Sequence, residues 1–514
     1  MNNSSENNKR IAKNTLLLYF RMLFMMAVSL YTSRVVLNAL GVEDFGIYNV
    51  VGGVVAMFSL LSGSLSTAIS RFITYELGKG EQGNLNKIFS SAVTIQLVLA
   101  GIIVLVAECI GVWFLNTQMT IPATRIIASN WVFQISLLTF VINLISIPYN
   151  ASIIAHEKMS AFAYISILEV IGKLITAYLI TISPIDKLIF YSLLMCGIAL
   201  IVRFTYGYYC KRHFEECTYR FIWDKQLLKQ MFGFAGWSFI GTASIVLRDQ
   251  GGNILINLFG GPVVNAARGI AFQVNNAIQG FVNNFMLALN PQITKSYAAN
   301  NHEYMLTLIF QGARLSFYML LILSLPILLN TPYILELWLK TVPEHSTLFV
   351  RLVLILAISE SLSYPLSTAI QATGRIRNLQ LMVGGLQLLN FPISYFLLYI
   401  GYYPEIIVVV AIVISQLCLG VRIIISRKLI SFQIKDFFKK VYINVITVSI
   451  ISSTFPIMLS YFYNNTLPSL LYFSLSVLLC ITSTLLTIYY IGCNSKERNF
   501  IIKKIRTKKL SIKL

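Results

Sequence analysis

Apolar runs of roughly 20 residues or more recur from one end of the chain to the other, separated by short polar segments. Fourteen such spans are expected, at 14–38, 46–70, 86–115, 123–149, 160–182, 186–210, 232–258, 263–290, 304–330, 346–371, 378–400, 404–428, 439–462 and 468–492. Runs of this length in series predict helices that cross a membrane, because a helix satisfies its own backbone where no water is present. The expected fold class is all-α, a polytopic membrane protein with fourteen transmembrane helices.

The pattern changes within 245–292, which is apolar yet carries a polar seam. Segments 232–258 and 263–290 are joined by a Gly260-Gly261-Pro262 turn. In the second, Asn265, Arg268, Asn276, Gln279, Asn283 and Asn290 recur mostly at three- or four-residue steps, which places them on one side of a helix. Amides and a guanidinium are costly in hydrocarbon unless they meet water or a partner. The seam is therefore expected to face a wet cavity inside a helix bundle. Gluing of neighbouring helices is the alternative.

Five charges are expected near mid-membrane: Glu169, Lys173, Arg248, Asp249 and Glu360. Such charges mark pathways or buried pairs. Glu169 and Lys173 lie four residues apart on one helix and can neutralise each other, a static structural pair being the bland reading. Asp249, Asn253 and Asn257 share a face of 232–258, with Arg248 about a quarter-turn away. Glu360 precedes Pro365, a residue that frees backbone groups and kinks a helix. Glu169, Lys173, Asp249 and Glu360 are candidates for ion coupling to protons or sodium. Arg203 and Arg422, nearer span ends, are expected to snorkel to the headgroups, whereas Arg34 and Arg314 fit either role. Glu108 has no evident partner in sequence.

Arg21, in the first span, completes a candidate substrate-binding set with Arg248, Arg268, Asn276, Gln279 and Asn283. Guanidinium forks suit phosphate oxygens, and amides suit sugar hydroxyls. The set thus fits a cargo with an anionic, hydroxyl-rich head and a lipid tail, and fits a cationic drug poorly.

Composition agrees with the membrane reading. In 514 residues, 56% are apolar and 12% charged, with mean hydropathy +0.72, which excludes an ordinary soluble domain. A net charge of +20 raises the question of nucleic acid, but its placement answers it. With the N-terminus inside, the inner segments hold 28 Lys/Arg and the outer loops 2, Lys187 and Lys340. That bias predicts two cytoplasmic termini and no nucleic-acid partner. The 7 cysteines contain no C-x-x-C pair, and Cys210, His213 and Cys217 lack a fourth zinc ligand in sequence. Gly78-Lys79-Gly80-Glu81-Gln82-Gly83 matches a dinucleotide fingerprint, yet no strand or βαβ unit surrounds it, so it reads as a solvated turn. Walker A, H-E-x-x-H and G-x-S-x-G patterns are absent from the sequence. No catalytic residue, metal or cofactor is expected, and the chain does not read as an enzyme.

The loop 211–231 follows six spans and divides the chain into a six-helix lobe at 1–210 and another at 232–438. Faint echoes relate them: Gly41 with Gly261, and Ile73-Thr74 with Ile293-Thr294. An even number of spans gives both lobes one orientation, related by an axis along the membrane normal. The spans within 439–492 form an appended pair, followed by a basic tail at 493–514.

Asn14-Thr15-Leu16, then Ser33-Arg34-Val35-Val36-Leu37-Asn38-Ala39-Leu40-Gly41-Val42-Glu43-Asp44-Phe45-Gly46-Ile47-Tyr48, and Gly63-Ser64 through Arg71-Phe72, carry a resemblance. With two six-span halves and a final pair, the chain resembles the polysaccharide transporter branch, the O-antigen flippases, of the multidrug/oligosaccharidyl-lipid/polysaccharide exporter superfamily (MATE-like). The resemblance implies a flippase that moves a polyprenyl-pyrophosphate-linked oligosaccharide, an O-antigen or capsular repeat unit, across the bacterial inner membrane by alternating access. It implies membrane lipids and polysaccharide assembly proteins as partners, a place in lipopolysaccharide or polysaccharide biosynthesis, and a lipid-tail groove at the last two helices. Lumenal arginines of related lipid flippases support Arg21, Arg248 and Arg268 in the cavity. The drug-exporting relatives carry an acidic residue in the first span, and this chain has arginines there. An ion-coupled multidrug or metabolite antiporter is the transport alternative. A lipid-linked glycan polymerase or ligase is the enzymatic one, disfavoured because the longest outer loop, 331–345, is short.

Overall fold

A computed structural model of the chain describes residues 2–56, 58–80, 83–117, 121–339, 341–430, 433–463, 469–495 and 497–499. Every regular element among them is helical. Among the described residues, twelve helices are long and apolar enough to cross a membrane. The expected spans 46–70 and 263–290 are not among these twelve. Both are helical over most of their length, in Asn2–Ala56 with Ser59–Gly78 and in Lys225–Ala298. The first is divided between two helices, and the amide seam lowers the hydropathy of the second.

At Gly41 and Gly261, where turns are expected, the backbone leaves the helical conformation, so Asn2–Ala56 and Lys225–Ala298 are each two helices meeting at a sharp kink. Gly41 adopts φ 81°, ψ 168°, and Gly261 adopts φ 74°, ψ −176°. This region of backbone space is essentially closed to residues with a Cβ. The two echoing glycines of the sequence thus make the same excursion. The accompanying dipeptides also behave alike, since Ile73, Thr74, Ile293 and Thr294 are all buried.

The chain forms two compact units, Met1–Ala243 with Leu287–His302, and Ser244–Met286 with Glu303–Leu514. In the first, helices Leu85–Val106, Ile126–Ala155, Met159–Leu179 and Lys187–His213 pack around fully buried Phe89, Phe133, Leu144 and Ile153. Carboxylates and an amide start several of these helices. Asn84 accepts from the Lys87 amide, Asp186 from those of Leu188 and Ile189, and Asp224 from that of Leu227. Each cap satisfies amides that the first helical turn leaves without a partner.

Burying apolar side chains selects no particular neighbour in hydrocarbon, because lipid is equally apolar; close packing and polar ties make the selection. Gly111, in a π-turn at Ala107–Gly111, is such a close approach, since a Cβ there would lie 2.6 Å from the Phe133 ring. Arg125 is such a tie. Its Nε donates to Asp44 at 2.7 Å, its Nη2 also meets Asp44, and its Nη1 donates to Asp186 at 2.5 Å. Asp44 belongs to the N-terminal motif Gly41 to Tyr48, and the fold uses it to hold three segments together. Glu108, isolated in sequence, accepts from Gln134 at 3.2 Å.

In the second unit, Ser346–Ser361 and Tyr364–Ala372 are separate helices, with Pro365 in the first turn of the latter. The break expected beside Glu360 is present. The last two long helices, Ile443–Tyr463 and Ser469–Thr487, are tied to His302–Leu329 by buried polar contacts. Arg314 donates to the Gly492 carbonyl at 3.0 Å and to Glu497 at 2.6 Å. The Tyr318 hydroxyl bonds Asn444, and Asn330 donates to Ser476 at 2.9 Å. Arg314 is therefore an anchor, not a snorkelling side chain.

Candidate functional site

Lys225–Ala298 supplies most of the predicted site residues, and its kink at Gly261 divides them into two groups. Before the kink, Arg248 lies between two carboxylates. Its Nε donates to Asp249 at 2.9 Å and its Nη1 to Glu360 at 2.9 Å. The break before Pro365 ends the helix that carries Glu360. A residue read as a free cavity cation is thus neutralised twice, by two of the residues read as ion-coupling candidates.

After the kink, Arg268 folds back onto the helix segment before it. It is buried, its Nη1 donates to the Asn253 amide oxygen, and its Nη2 donates to the Asp249 carbonyl at 3.0 Å. Its guanidinium also lies 4.3 Å from the centre of the Phe272 ring. The acceptors recorded for it are both neutral, and its Nε has no hydrogen-bond partner among the described residues. Close approach requires a small residue opposite. A Cβ on Gly252 would sit 3.2 Å from Arg268 Nη2.

Asn276, Gln279 and Asn283 continue along the same helix, with Asn276 and Asn283 exposed and Gln279 half-buried. The amides next to them, Asn275 and Asn284, are buried, and Asn284 bonds the Gly280 carbonyl of its own helix. The seam therefore separates into an exposed amide row and the buried Arg268.

Arg21 and the Glu169–Lys173 pair belong to the first unit. Arg21 lies 4.4 Å from the Phe162 ring centre and donates to Ser166 at 3.3 Å. Lys173 donates to Glu169 at 2.6 Å, the i,i+4 pairing read from the spacing. Two arginines expected to snorkel turn inward instead. Arg422 reaches the Ser363 hydroxyl at 3.4 Å, and Arg203 stacks on Tyr149 at 3.9 Å, because each finds a polar or aromatic partner within reach of its stem.

One charged residue escaped the sequence reading. Glu157 is 4% exposed and accepts from Arg10, Gln292 and Lys295. It lies in the short turn between two spans, where a search for charges inside spans does not look. The only signal was an acidic residue in a segment otherwise counted for its base. Its neighbour His156 stacks on Phe214 at 4.1 Å and places Nε2 2.5 Å from Glu216 Oε1. Burial alone would raise the Glu216 carboxyl, but the His156 hydrogen bond, a backbone N–H and the charge on His156 together outweigh it and hold the group below its ordinary range.

Residues 11–297, more than half of the chain, match the family described as "Polysaccharide biosynthesis protein". The chain belongs to that family. Residues 239–396 also match the MatE family. The "Uncharacterized membrane protein EpsK" of Bacillus subtilis (strain 168) is 19% identical over 309 residues. That similarity covers 59% of this chain, and the chain spans 60% of the relative's length.

Solved structures share the fold. A MATE protein in the bent conformation has a TM-score of 0.73 at 13% identity, over 83% of this chain and 96% of that one. An outward-facing multidrug resistance MATE transporter of the MOP superfamily gives 0.68 at 16%, over 82% and 96%. A MOP superfamily transporter from Pyrococcus furiosus, described as having a binding pocket of reverse polarity, gives 0.65 at 14%, over 82% and 96%. The chain is therefore a multi-pass membrane protein of the polysaccharide biosynthesis family with a MATE-like fold.

Proposed function

We propose that the protein is a flippase that carries a polyprenyl-pyrophosphate-linked oligosaccharide, an O-antigen or capsular repeat unit, from the inner to the outer leaflet of the bacterial cytoplasmic membrane. Arg268 carries the reading. A buried guanidinium whose recorded acceptors are neutral is expensive in a membrane interior, and a phosphate oxygen relieves that cost where a cationic cargo would increase it. The exposed amides Asn276 and Asn283, with Gln279, suit the hydroxyls of a sugar head. Arg21 adds a second cation with a neutral partner, while Arg248 shapes the site through its carboxylates.

In this reading the chain crosses the membrane fourteen times with both termini in the cytoplasm. Lobes 1–210 and 232–438 alternate access, and the pair within 439–492 guides the lipid tail. Glu169 with Lys173, and Asp249 with Glu360, remain the groups through which a proton or sodium ion acts. Occupation of Asp249 and Glu360 by Arg248 means that an ion reaching them has to displace a tethered cation.

Deleting the gene from its host tests the proposal. Lipid-linked repeat units are expected to accumulate on the cytoplasmic face, with rescue by the wild type and not by Arg268→Ala. Normal surface glycan with altered drug sensitivity would instead identify an antiporter. Units that reach the outer face but stay unpolymerised would identify an enzyme.

A further inference from the structure

Helix Ile126–Ala155 ends in a turn of unusual composition. Lys158 N–H bonds the Ile153 carbonyl at 3.0 Å, and Glu157 N–H bonds that of Ile154 at 2.9 Å. This is the six-to-one, five-to-two pattern of a Schellman cap, whose left-handed residue is usually glycine. Here that residue is Glu157, at φ 58°. A glutamate in the left-handed region is disfavoured, and such a residue persists where surrounding contacts impose it.

Glu157 has such contacts on every side of its carboxylate. Glu157 Oε2 lies 2.8 Å from Arg10 Nε and 2.5 Å from Gln292 Nε2, and Oε1 lies 2.7 Å from Lys295 Nζ. Asn14 donates to the Glu157 carbonyl at 3.3 Å. One buried carboxylate therefore gathers the start of Asn2–Ala56 and the end of Lys225–Ala298. The end of Ser59–Gly78 closes on the same segment, where a Cβ on Gly78 would lie 2.6 Å from Ala298 Cβ. Gly78 and Ala298 stand at the same offset as Gly41 and Gly261, so each repeat meets its counterpart here.

The charges do not balance. Two cations and an amide converge on a single carboxylate, and the Arg10 side chain is 48% exposed while that of Glu157 is 1% exposed. A guanidinium, an ammonium and an amide form a donor set for phosphate oxygens, which carry more charge than one carboxylate.

We propose that Arg10, Gln292 and Lys295 form a docking seat for the phosphate headgroup of a lipid, and that Glu157 occupies the seat and latches it shut in this conformation. An arriving headgroup replaces the carboxylate, Glu157 swings out of its strained turn, and the end of Lys225–Ala298 is released. The identity of the lipid rests on the flippase reading; the latch does not.

Hydrogen exchange in the full-length protein, held in lipid nanodiscs, tests this. Glu157→Gly suits the left-handed turn better than the native residue, so a role limited to capping predicts equal or slower exchange at 287–302. The latch predicts exchange there faster by roughly tenfold, the size expected for loss of a charge-assisted hydrogen bond. Glu157→Gln, which keeps the shape and removes the charge, is expected to change in the same direction. Farnesyl pyrophosphate added to the wild type is expected to accelerate exchange at 287–302, and farnesol is not. A variant lacking both cations, Arg10→Ala with Lys295→Ala, is expected to exchange fast and to ignore the pyrophosphate.

Unchanged exchange in both Glu157 variants would overturn the latch. An equal response to farnesol would overturn the anion seat. A response to inorganic pyrophosphate without one to the prenyl compound would overturn a lipid as its source. No transport enters this measurement, so failure of the flippase reading in the deletion strain is distinguishable from failure of the latch.

Discussion

Arg248 donates to Glu360 at 2.9 Å across 112 residues of chain, while holding its neighbour Asp249 at the same distance. All three side chains are at least partly shielded from solvent. Removing one member leaves charge without its partner. Arg248→Leu is expected to destabilise the protein by about 2–4 kcal/mol, near the range for breaking a buried pair and reduced because both carboxylates are partly open. Replacing Arg248 and Glu360 together by leucine is expected to recover part of that loss, because Asp249 is then the one charge left uncompensated. A double-mutant cycle on thermal unfolding in detergent measures the coupling. Strict additivity would show that the pair contributes nothing.

Arg268 depends on Gly252. Arg268→Lys keeps the charge but loses the fork, and translocation of lipid-linked glycan is expected to fall roughly ten- to hundredfold from lost charge-assisted hydrogen bonds. Gly252→Val forces the guanidinium away from the Asp249 carbonyl and is expected to have a similar effect. Both variants should unfold within a few degrees of wild type. Full transport in Gly252→Val would show that the guanidinium need not rest there.

Gly41 and Gly261 give a paired prediction. Alanine at either site strains a conformation that glycine alone adopts readily, at a cost of about 1–3 kcal/mol each. Since the two backbones nearly coincide in φ and ψ, the two losses are expected to match within experimental error. Neither site has an atom within 4 Å of the added Cβ, so crowding does not contribute. Thermal unfolding of the two single variants checks this.

These glycines also show what was legible in the sequence. A φ requirement is local, so two glycines at a repeat offset disclose a shared kink, and hydropathy, equally local, discloses an all-helical membrane fold. Partners across the chain are not local. Helical periodicity placed Arg248 and Asp249 on neighbouring faces of one helix and said nothing of Glu360. It also put Arg268 with Asn276, although a quarter-turn divides a buried guanidinium from exposed amides. Glu157 was lost for another reason. In a three-residue turn a carboxylate is ordinarily solvated, and only the meeting of Arg10 with Lys295 makes this one exceptional.

Outside the long apolar helices, acid is expected to weaken the loop at 211–231. The hydrogen bond from Lys87 holds the Asp224 carboxyl below its ordinary 3.8, aided by the Leu227 amide, and Glu216 lies below its ordinary 4.5. A depressed carboxyl contributes fully above its unfolded value and loses its contribution as pH falls through the folded one. Stability should therefore be level above about pH 5 and decline below it. Lys87→Met is expected to flatten that decline, as read by unfolding temperature against pH. An unaltered slope would exclude the Lys87–Asp224 contact as its source.

The final helix pair depends on one side chain in the same way. Arg314 bonds the carbonyl of Gly492, where the last long helix ends, and the carboxylate of Glu497 just beyond. Methionine fills much of the same space without donors, so Arg314→Met takes the charged donor from the Gly492 carbonyl, which keeps a 3.4 Å bond from Tyr318, and from the Glu497 carboxylate, which keeps the Asn494 amide, a loss of about 3 kcal/mol. That loss falls on the segment after Gly492 more than on the rest of the fold, because Asn330 still holds Ser476 within the pair. Trypsin is therefore expected to cut after Arg498 several-fold faster in Arg314→Met, on the scale of a local opening equilibrium, while the unfolding temperature moves little. Glu497→Gln keeps an acceptor oxygen but removes the charge from one of the two contacts, and should fall between this variant and the wild type. Equal cleavage in all three would place the restraint on the tail elsewhere than at Arg314.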